Sequence, residues 1–191
     1  MSLYDTEEGV ERYVDMAEGY DGRGLIDSLR EHLDDDSDIL ELGMGPGKDL
    51  LLLGEHFTAT GSDRSKVFLD RFRAAHPSAD LLQLDAMTLE TDRRFDAVYS
   101  NKVLQHLTPE ELELSLQRQH ALLRESGLVA HSLWYGKGPP QTHQGLLCTY
   151  FTEGDLLALL GDRFEVLALE RYQEMEPADS LWLIARRRTD D

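Results

Sequence analysis

Asp38-Ile-Leu-Glu-Leu-Gly-Met-Gly-Pro-Gly47 is the stretch on which the fold turns. Ile39, Leu40 and Leu42 make a short apolar run of the kind that forms a buried strand. Glycines follow at alternate positions, 43, 45 and 47, and Lys48 to Gly54 then has a helical pattern. Strand, tight turn and helix start together make the unit with which α/β proteins bring main chain against a nucleoside ligand. Glycine serves there because it accepts positive φ and has no Cβ to hold a ligand off. Dinucleotide folds space their glycines G-x-G-x-x-G around a pyrophosphate. Here Glu41 precedes the first glycine by two residues. A carboxylate is poorly placed for an anion and well placed for a ligand that carries an ammonium group.

Three later segments extend the pattern. Phe57-Thr-Ala-Thr-Gly-Ser62 reads as a strand with Asp63 at its carboxyl end, where an acid can accept both ribose hydroxyls. A nicotinamide enzyme places an acid similarly, so Asp63 alone does not choose the cofactor. Leu81-Leu-Gln-Leu-Asp85-Ala86-Met87 is a second strand ending in an acid. Phe95-Asp-Ala-Val-Tyr-Ser100-Asn101 is a third, running into Lys102-Val-Leu-Gln-His106-Leu107.

These four segments, in this order, resemble the class I S-adenosylmethionine-dependent methyltransferases, most closely the small-molecule branch called type 11 or type 12. The resemblance covers nearly the whole chain. It implies a Rossmann-like α/β fold with a seven-stranded, mainly parallel sheet of order 3-2-1-4-5-7-6, the last strand antiparallel. It implies S-adenosylmethionine as cofactor and S-adenosylhomocysteine as product. Glu41 would meet the methionine ammonium, Asp63 the ribose, and Asp85 the adenine amino group, with the next backbone N–H on a ring nitrogen. Leu42, Gly43, Met44, Gly45, Gly47, Arg64, Ala86 and Met87 would complete the cofactor contacts. Asn101, Lys102 and Val103 would border the methionine end, and Tyr20 would close over it from an N-terminal leader.

Composition bounds the remainder. At 191 residues the chain is read as one domain, 1–191, with a helical cap over 1–36 and the core over 37–191. Its 37 acids against 19 bases, net −18, disfavour a phosphate backbone as partner. Cys148 is the single cysteine and suits a packing role; the histidines are scattered without zinc-motif spacing. With no membrane-length apolar run and no leader pattern at Met1, a cytoplasmic monomer or homodimer acting on a small-molecule acceptor is expected.

Periodicity gives strands at 38–42, 57–62, 80–84, 95–100, 126–134, 163–171 and 180–188. Helices are expected at 6–18, 22–33, 46–54, 65–75, 109–124 and 152–160, with clear starts at Ser65, Thr108-Pro109 and Thr152. Arg186-Arg187-Arg188 is read as a solvated edge strand.

His106 follows the fourth strand on the side of the sheet that should hold the methyl donor, so it is the candidate general base. A histidine packed between Leu104 and Leu107 is the equal alternative. Residues 134–144 are too long and polar for a plain connection, which makes Tyr135, His143 and Tyr150 candidates for acceptor contacts, with Tyr13 from the leader. An inactive cofactor-binding partner subunit, a nicotinamide oxidoreductase, and a methyltransferase for protein or RNA are the other readings of these residues.

Overall fold

A computed structural model describes residues 6–16, 19, 21–143 and 145–189, without the side chains of Tyr13, Asp15, Met16 and His143. Tyr20 lies outside the described residues, as do the side chains of Tyr13 and His143. Nine strands form among the described residues: β1 (Asp38–Leu42), β2 (Thr58–Asp63), β3 (Leu81–Gln83), β4 (Phe95–Asn101), β5 (Leu123–Trp134), β6 (Gln141–His143), β7 (Leu146–Cys148), β8 (Phe164–Tyr172) and β9 (Ser180–Arg187). The helices are α1 (Glu7–Met16), α2 (Arg23–Arg30), α3 (Lys48–Leu53), α4 (Lys66–Ala75), α5 (Pro109–Leu122) and α6 (Glu153–Leu160).

The main sheet has the order β3-β2-β1-β4-β5-β9-β8. β1 pairs in parallel with β2 and β4, and β9 runs antiparallel to both β5 and β8. Counting β8 and β9 as the sixth and seventh strands, this is the expected order. It corrects one reading: β9 and its arginines are inside the sheet, and β8 is the edge. Arg187 donates to the Leu123 carbonyl at 2.7 Å, and Arg186 lies 3.8 Å from Glu165.

Alternation along the central strands separates two apolar layers, because successive side chains leave a strand on opposite faces. Leu40, Leu42, Val98, Val129 and Leu133 pack with Leu112 and Leu116 of α5 and Leu156 of α6. Ile39, Ala97, Tyr99, Leu128 and Ala130 pack on the other side with Ile26 and Leu29 of α2 and Leu53 of α3. β1 is therefore buried on both faces, as a central parallel strand must be. The carboxyl ends of β1 and β4 mark the point where the strand order reverses, and there the connecting turns open a crevice.

Two local departures from the expected elements have clear causes. α5 stops at Leu122 rather than 124, because Leu123 already pairs with Phe95. The register between β4 and β5 then shifts between Phe95 and Ala97, with Ser126 at positive φ (60°) before Gly127. The second is the β6–β7 hairpin, in a stretch expected to be irregular.

α5 begins with a reciprocal cap. Thr108 Oγ1 accepts from Glu111 N, and the Glu111 carboxylate accepts from Thr108 N at 2.8 Å. Thr108→Ala is expected to cost about 1 kcal/mol in urea unfolding. An unchanged midpoint would mean that α5 is held by its packing alone.

Candidate functional site

The glycine turn shows why its glycines alternate. Gly43, Gly45 and Gly47 all have positive φ, at 65°, 49° and 82°. At Gly43 a Cβ would lie 2.6 Å from both Val103 γ-carbons, and at Gly47 one would lie 2.1 Å from the Phe72 ring. The turn is thus pressed between the segment after β4 and helix α4, with main chain facing the crevice.

A cavity of about 290 Å³ opens beside it, of small-molecule size. Gly43, Gly45, Asp63, Arg64, Asp85, Ala86, Lys102, Val103 and His106 all border it. These nine sequence candidates come from four separate turns, so the fold brings together what the chain holds apart. The sequence reading missed the other walls: Phe68 of α4, Leu84, Leu107, and Gly145, Leu146 and Leu147 of the hairpin. Phe68 and Leu84 are indistinguishable in sequence from ordinary core residues.

The two acids on the wall are held by backbone N–H groups. Asp63 is buried; its carboxylate accepts from Gly45 N at 3.0 Å and from Ser65 N at 2.8 Å. Burial raises its pKa, against the lowering effect of those N–H groups. Each carboxylate oxygen keeps a lone pair for a further donor. Asp85 accepts from Met87 N at 2.8 Å.

Glu41 is 3% exposed and lies off the cavity wall; its Oε2 has no hydrogen-bond partner. Burial drives its pKa well above the carboxylate range, and the charges of Asp49 and Asp63 add to that. Asp49 in turn accepts from Gly22 N at 2.7 Å, Tyr99 Oη at 2.8 Å and Asn101 Nδ2 at 3.0 Å. It therefore ties the start of α2 and the end of β4 to the helix that follows the glycines. In sequence Asp49 looks like any first-turn acid, so this role could not be read there.

His106 sits in a short 3-10 turn, and its Nδ1 meets the Leu147 carbonyl at 2.6 Å. A carbonyl only accepts, so Nδ1 carries the proton and Nε2 holds the lone pair in the neutral ring. Burial lowers the imidazole pKa; the Leu147 carbonyl opposes this and the Arg64 charge adds to it. The ring is therefore neutral at pH 7.

Several candidates stand elsewhere. Leu42 is in the core and Met44 packs against Leu50, Leu69 and Phe72, so neither side chain reaches the cavity. Gly47, Met87 and Asn101 are likewise off its wall. Lys102 turns the chain at positive φ (56°), but its ammonium donates to Ser180 Oγ at 2.6 Å and the Leu133 carbonyl at 3.2 Å. It also lies 3.8 Å from the Trp134 ring centroid, and burial brings its pKa down to about 8. Tyr135 is off the cavity wall, and the Arg171 guanidinium lies over its ring at 3.6 Å. Tyr150 borders a different hollow, with Pro109, Pro140 and Phe151. Among the described residues there is no cluster of three metal-ligating side chains and no helix long and apolar enough to cross a membrane.

Comparison with known proteins gives one consistent answer. A family profile described as a methyltransferase domain matches residues 39–127. Trans-aconitate 2-methyltransferase of Enterobacter sp. is 34% identical over 101 residues, 51% of this chain and 39% of that protein. The enzyme of the same name from Methylobacterium radiotolerans is 32% identical over 149 residues, 76% of this chain and 55% of that one. The chain thus spans about half the length of the curated relatives it matches, or less. Among solved structures, Burkholderia thailandensis 1,6-didemethyltoxoflavin-N1-methyltransferase superposes with TM-score 0.81 and 23% identity, over 98% of this chain and 87% of that one. An amino pentose methyltransferase from Micromonospora echinaspora gives TM-score 0.75 and 18% identity, over 94% and 97%. At those identities the two structures speak for the fold.

Proposed function

We propose, for a chain that carries a methyltransferase domain of the class I fold, that it transfers a methyl group from S-adenosylmethionine to an oxygen, nitrogen or carbon of a small-molecule acceptor, releasing S-adenosylhomocysteine. The observation that carries this reading is one cavity on which the glycine turn, the acid after β2, the acid after β3 and the turn after β4 converge.

Two features of the protein fit the cofactor. Glu41 Oε2 is a buried acceptor with no donor of its own, and Gly43 leaves bare main chain where a Cβ would strike Val103. Asp63 would hold the ribose hydroxyls, Asp85 and the Ala86 N–H the base, and Glu41 the ammonium. Gly43, Gly45, Lys102 and Val103 would border the methionine end. An ammonium beside Glu41 would favour its charged form and so offset the burial and the repulsion from Asp49 and Asp63. When bound, S-adenosylmethionine supplies a methyl on a positively charged sulfur, already activated for in-line displacement.

The chain's part is to align the acceptor, exclude water and take a proton. Leu107, Leu146 and Leu147 supply an apolar wall, and His106 Nε2 is the group that takes the proton from an acceptor that has one to lose. Because the curated relatives are named trans-aconitate 2-methyltransferase, trans-aconitate heads the acceptors to try; its carboxylates are ionised at pH 7 and would need no base, whereas a hydroxyl or protonated nitrogen acceptor would.

Calorimetric titration with S-adenosylmethionine, S-adenosylhomocysteine and NAD tests the reading. Binding of the first two and not the third is expected, followed by S-adenosylhomocysteine release in the presence of an acceptor. Binding of NAD alone, or of none, would overturn it.

A further inference from the structure

A buried chain of hydrogen bonds crosses from the sheet through α5 to the turn after β3. Ser100 Oγ lies 2.9 Å from His131 Nδ1, and His131 Nε2 lies 2.8 Å from Gln119 Oε1. Gln119 Nε2 donates to Ser115 Oγ at 3.0 Å, and Ser115 Oγ donates to the Ala86 carbonyl at 2.6 Å. Ser100, Gln119 and Ser115 have no exposed surface, and His131 has 1%.

The chemistry of the partners fixes the direction of every link. The Ala86 carbonyl can only accept, so the Ser115 hydroxyl donates to it and receives from the Gln119 amide. The Gln119 oxygen then needs a donor, which His131 Nε2–H provides. His131 Nδ1 is left as acceptor for the Ser100 hydroxyl. This tautomer requires an uncharged ring, and burial lowers the His131 pKa to about 3.

The chain does not end at Ala86. The carbonyl of Ala86 and the N–H of Met87 belong to one planar peptide unit. That N–H donates to Asp85 Oδ1 at 2.8 Å. Fixing the carbonyl therefore fixes the N–H, and the N–H fixes the Asp85 carboxylate. Arg118, also on α5, holds the next carbonyls, Thr88 through Nε at 3.0 Å and Leu89 through Nη2 at 3.2 Å.

We infer that Ser115, Gln119, His131 and Ser100 are positioning residues for base recognition, a directional relay that orients the 86–87 peptide and with it the Asp85 carboxylate toward the exocyclic amino group of the cofactor's purine. A buried network with every member satisfied specifies one arrangement, whereas loss of one link leaves its neighbours unpaired. The inference rests on the cofactor reading above.

The test compares S-adenosylhomocysteine with S-inosylhomocysteine, which has an oxo group where the adenine amino group stands, so that Asp85 loses its exocyclic donor, and which carries a proton on N1 that would face the Ala86 N–H donor to donor. The wild type should prefer the adenosyl ligand. In Ser115→Ala, affinity for it should fall about tenfold, the size of one mispositioned charge-assisted hydrogen bond. Affinity for the inosyl ligand should stay as it was, so the preference collapses. Ser100→Ala, at the far end, should act in the same direction to a smaller extent, and serves if Ser115→Ala does not fold; Ser115→Thr, which keeps the hydroxyl, should restore the preference. Equal losses for both ligands, or an unchanged preference in both alanine variants, would overturn the relay as a device for base reading. Failure of the wild type to bind S-adenosylhomocysteine would instead overturn the cofactor reading, and the inference with it.

Discussion

Gly43→Val should weaken S-adenosylhomocysteine binding at least about a hundredfold, the equivalent of about 2.7 kcal/mol. The cause is local and double. The residue has φ of 65°, a region a β-branched side chain enters only at a cost of roughly 1–2 kcal/mol. Its Cβ would also stand 2.6 Å from both Val103 γ-carbons, and overpacking of that kind costs roughly 1–3 kcal/mol more. Gly43 and Val103 both line the cavity, so whichever one yields reshapes the wall on which the ligand rests. Gly43→Ala separates folding from binding, because it keeps the collision with less backbone strain. A valine variant that melts normally and binds the ligand as the wild type does would remove the glycine turn from the site.

His106→Ala should leave that affinity nearly intact and lower turnover on an acceptor that must lose a proton by about 10² or more, the usual contribution of a positioned general base. The pH dependence gives the discriminating sign. Burial lowers the imidazole pKa, so the form that can accept a proton predominates at neutral pH. The wild-type rate should rise with pH through that lowered value and then stay level across neutrality. In the variant this rising limb should vanish along with the rate. An unchanged rate, or a loss that keeps the limb, would reduce His106 to the packing partner of Leu104 and Leu107 and move the proton to another group.

The parts of the fold open to reading were those specified locally. β1 and β4 are short apolar runs that meet their turns within a few residues, and Thr108 and Thr152 form the capping boxes their spacing announces. Strand order is different in kind. Nothing periodic in residues 164–187 says that β9 inserts between β5 and β8; the family resemblance supplied it, while the arginines alone suggested an edge. The β6–β7 hairpin escaped because Gly136 to Pro140 carries turn chemistry. Gln141–His143 is also too short and polar to show alternation.

The site divides in the same way. Glycines and acids adjacent to strand ends could be placed on one edge of the sheet from spacing alone. Asp49, Phe68 and the relay could not. Ser115 and Gln119 look like the polar side of an amphipathic helix, and only the packing of α5 against β5 brings His131 to them. Spacing likewise did not show that Arg171 lies over the Tyr135 ring or that Tyr150 borders the hollow beside α6.

The hairpin is fastened to the turn after β4 by three bonds. Leu147 accepts from His106, Thr149 N donates to the Gln105 carbonyl, and Thr149 Oγ1 donates to the Leu107 carbonyl. Two of the three use backbone atoms of the hairpin, and all three lie at its base, at or beyond Leu147. None of the three is made by residues 138–143, so changes there leave the placement of His106 to the base of the hairpin. Under the proposed function, any acceptor preference carried by this loop would be an exchangeable cassette, altered without renegotiating how the methyl donor is held.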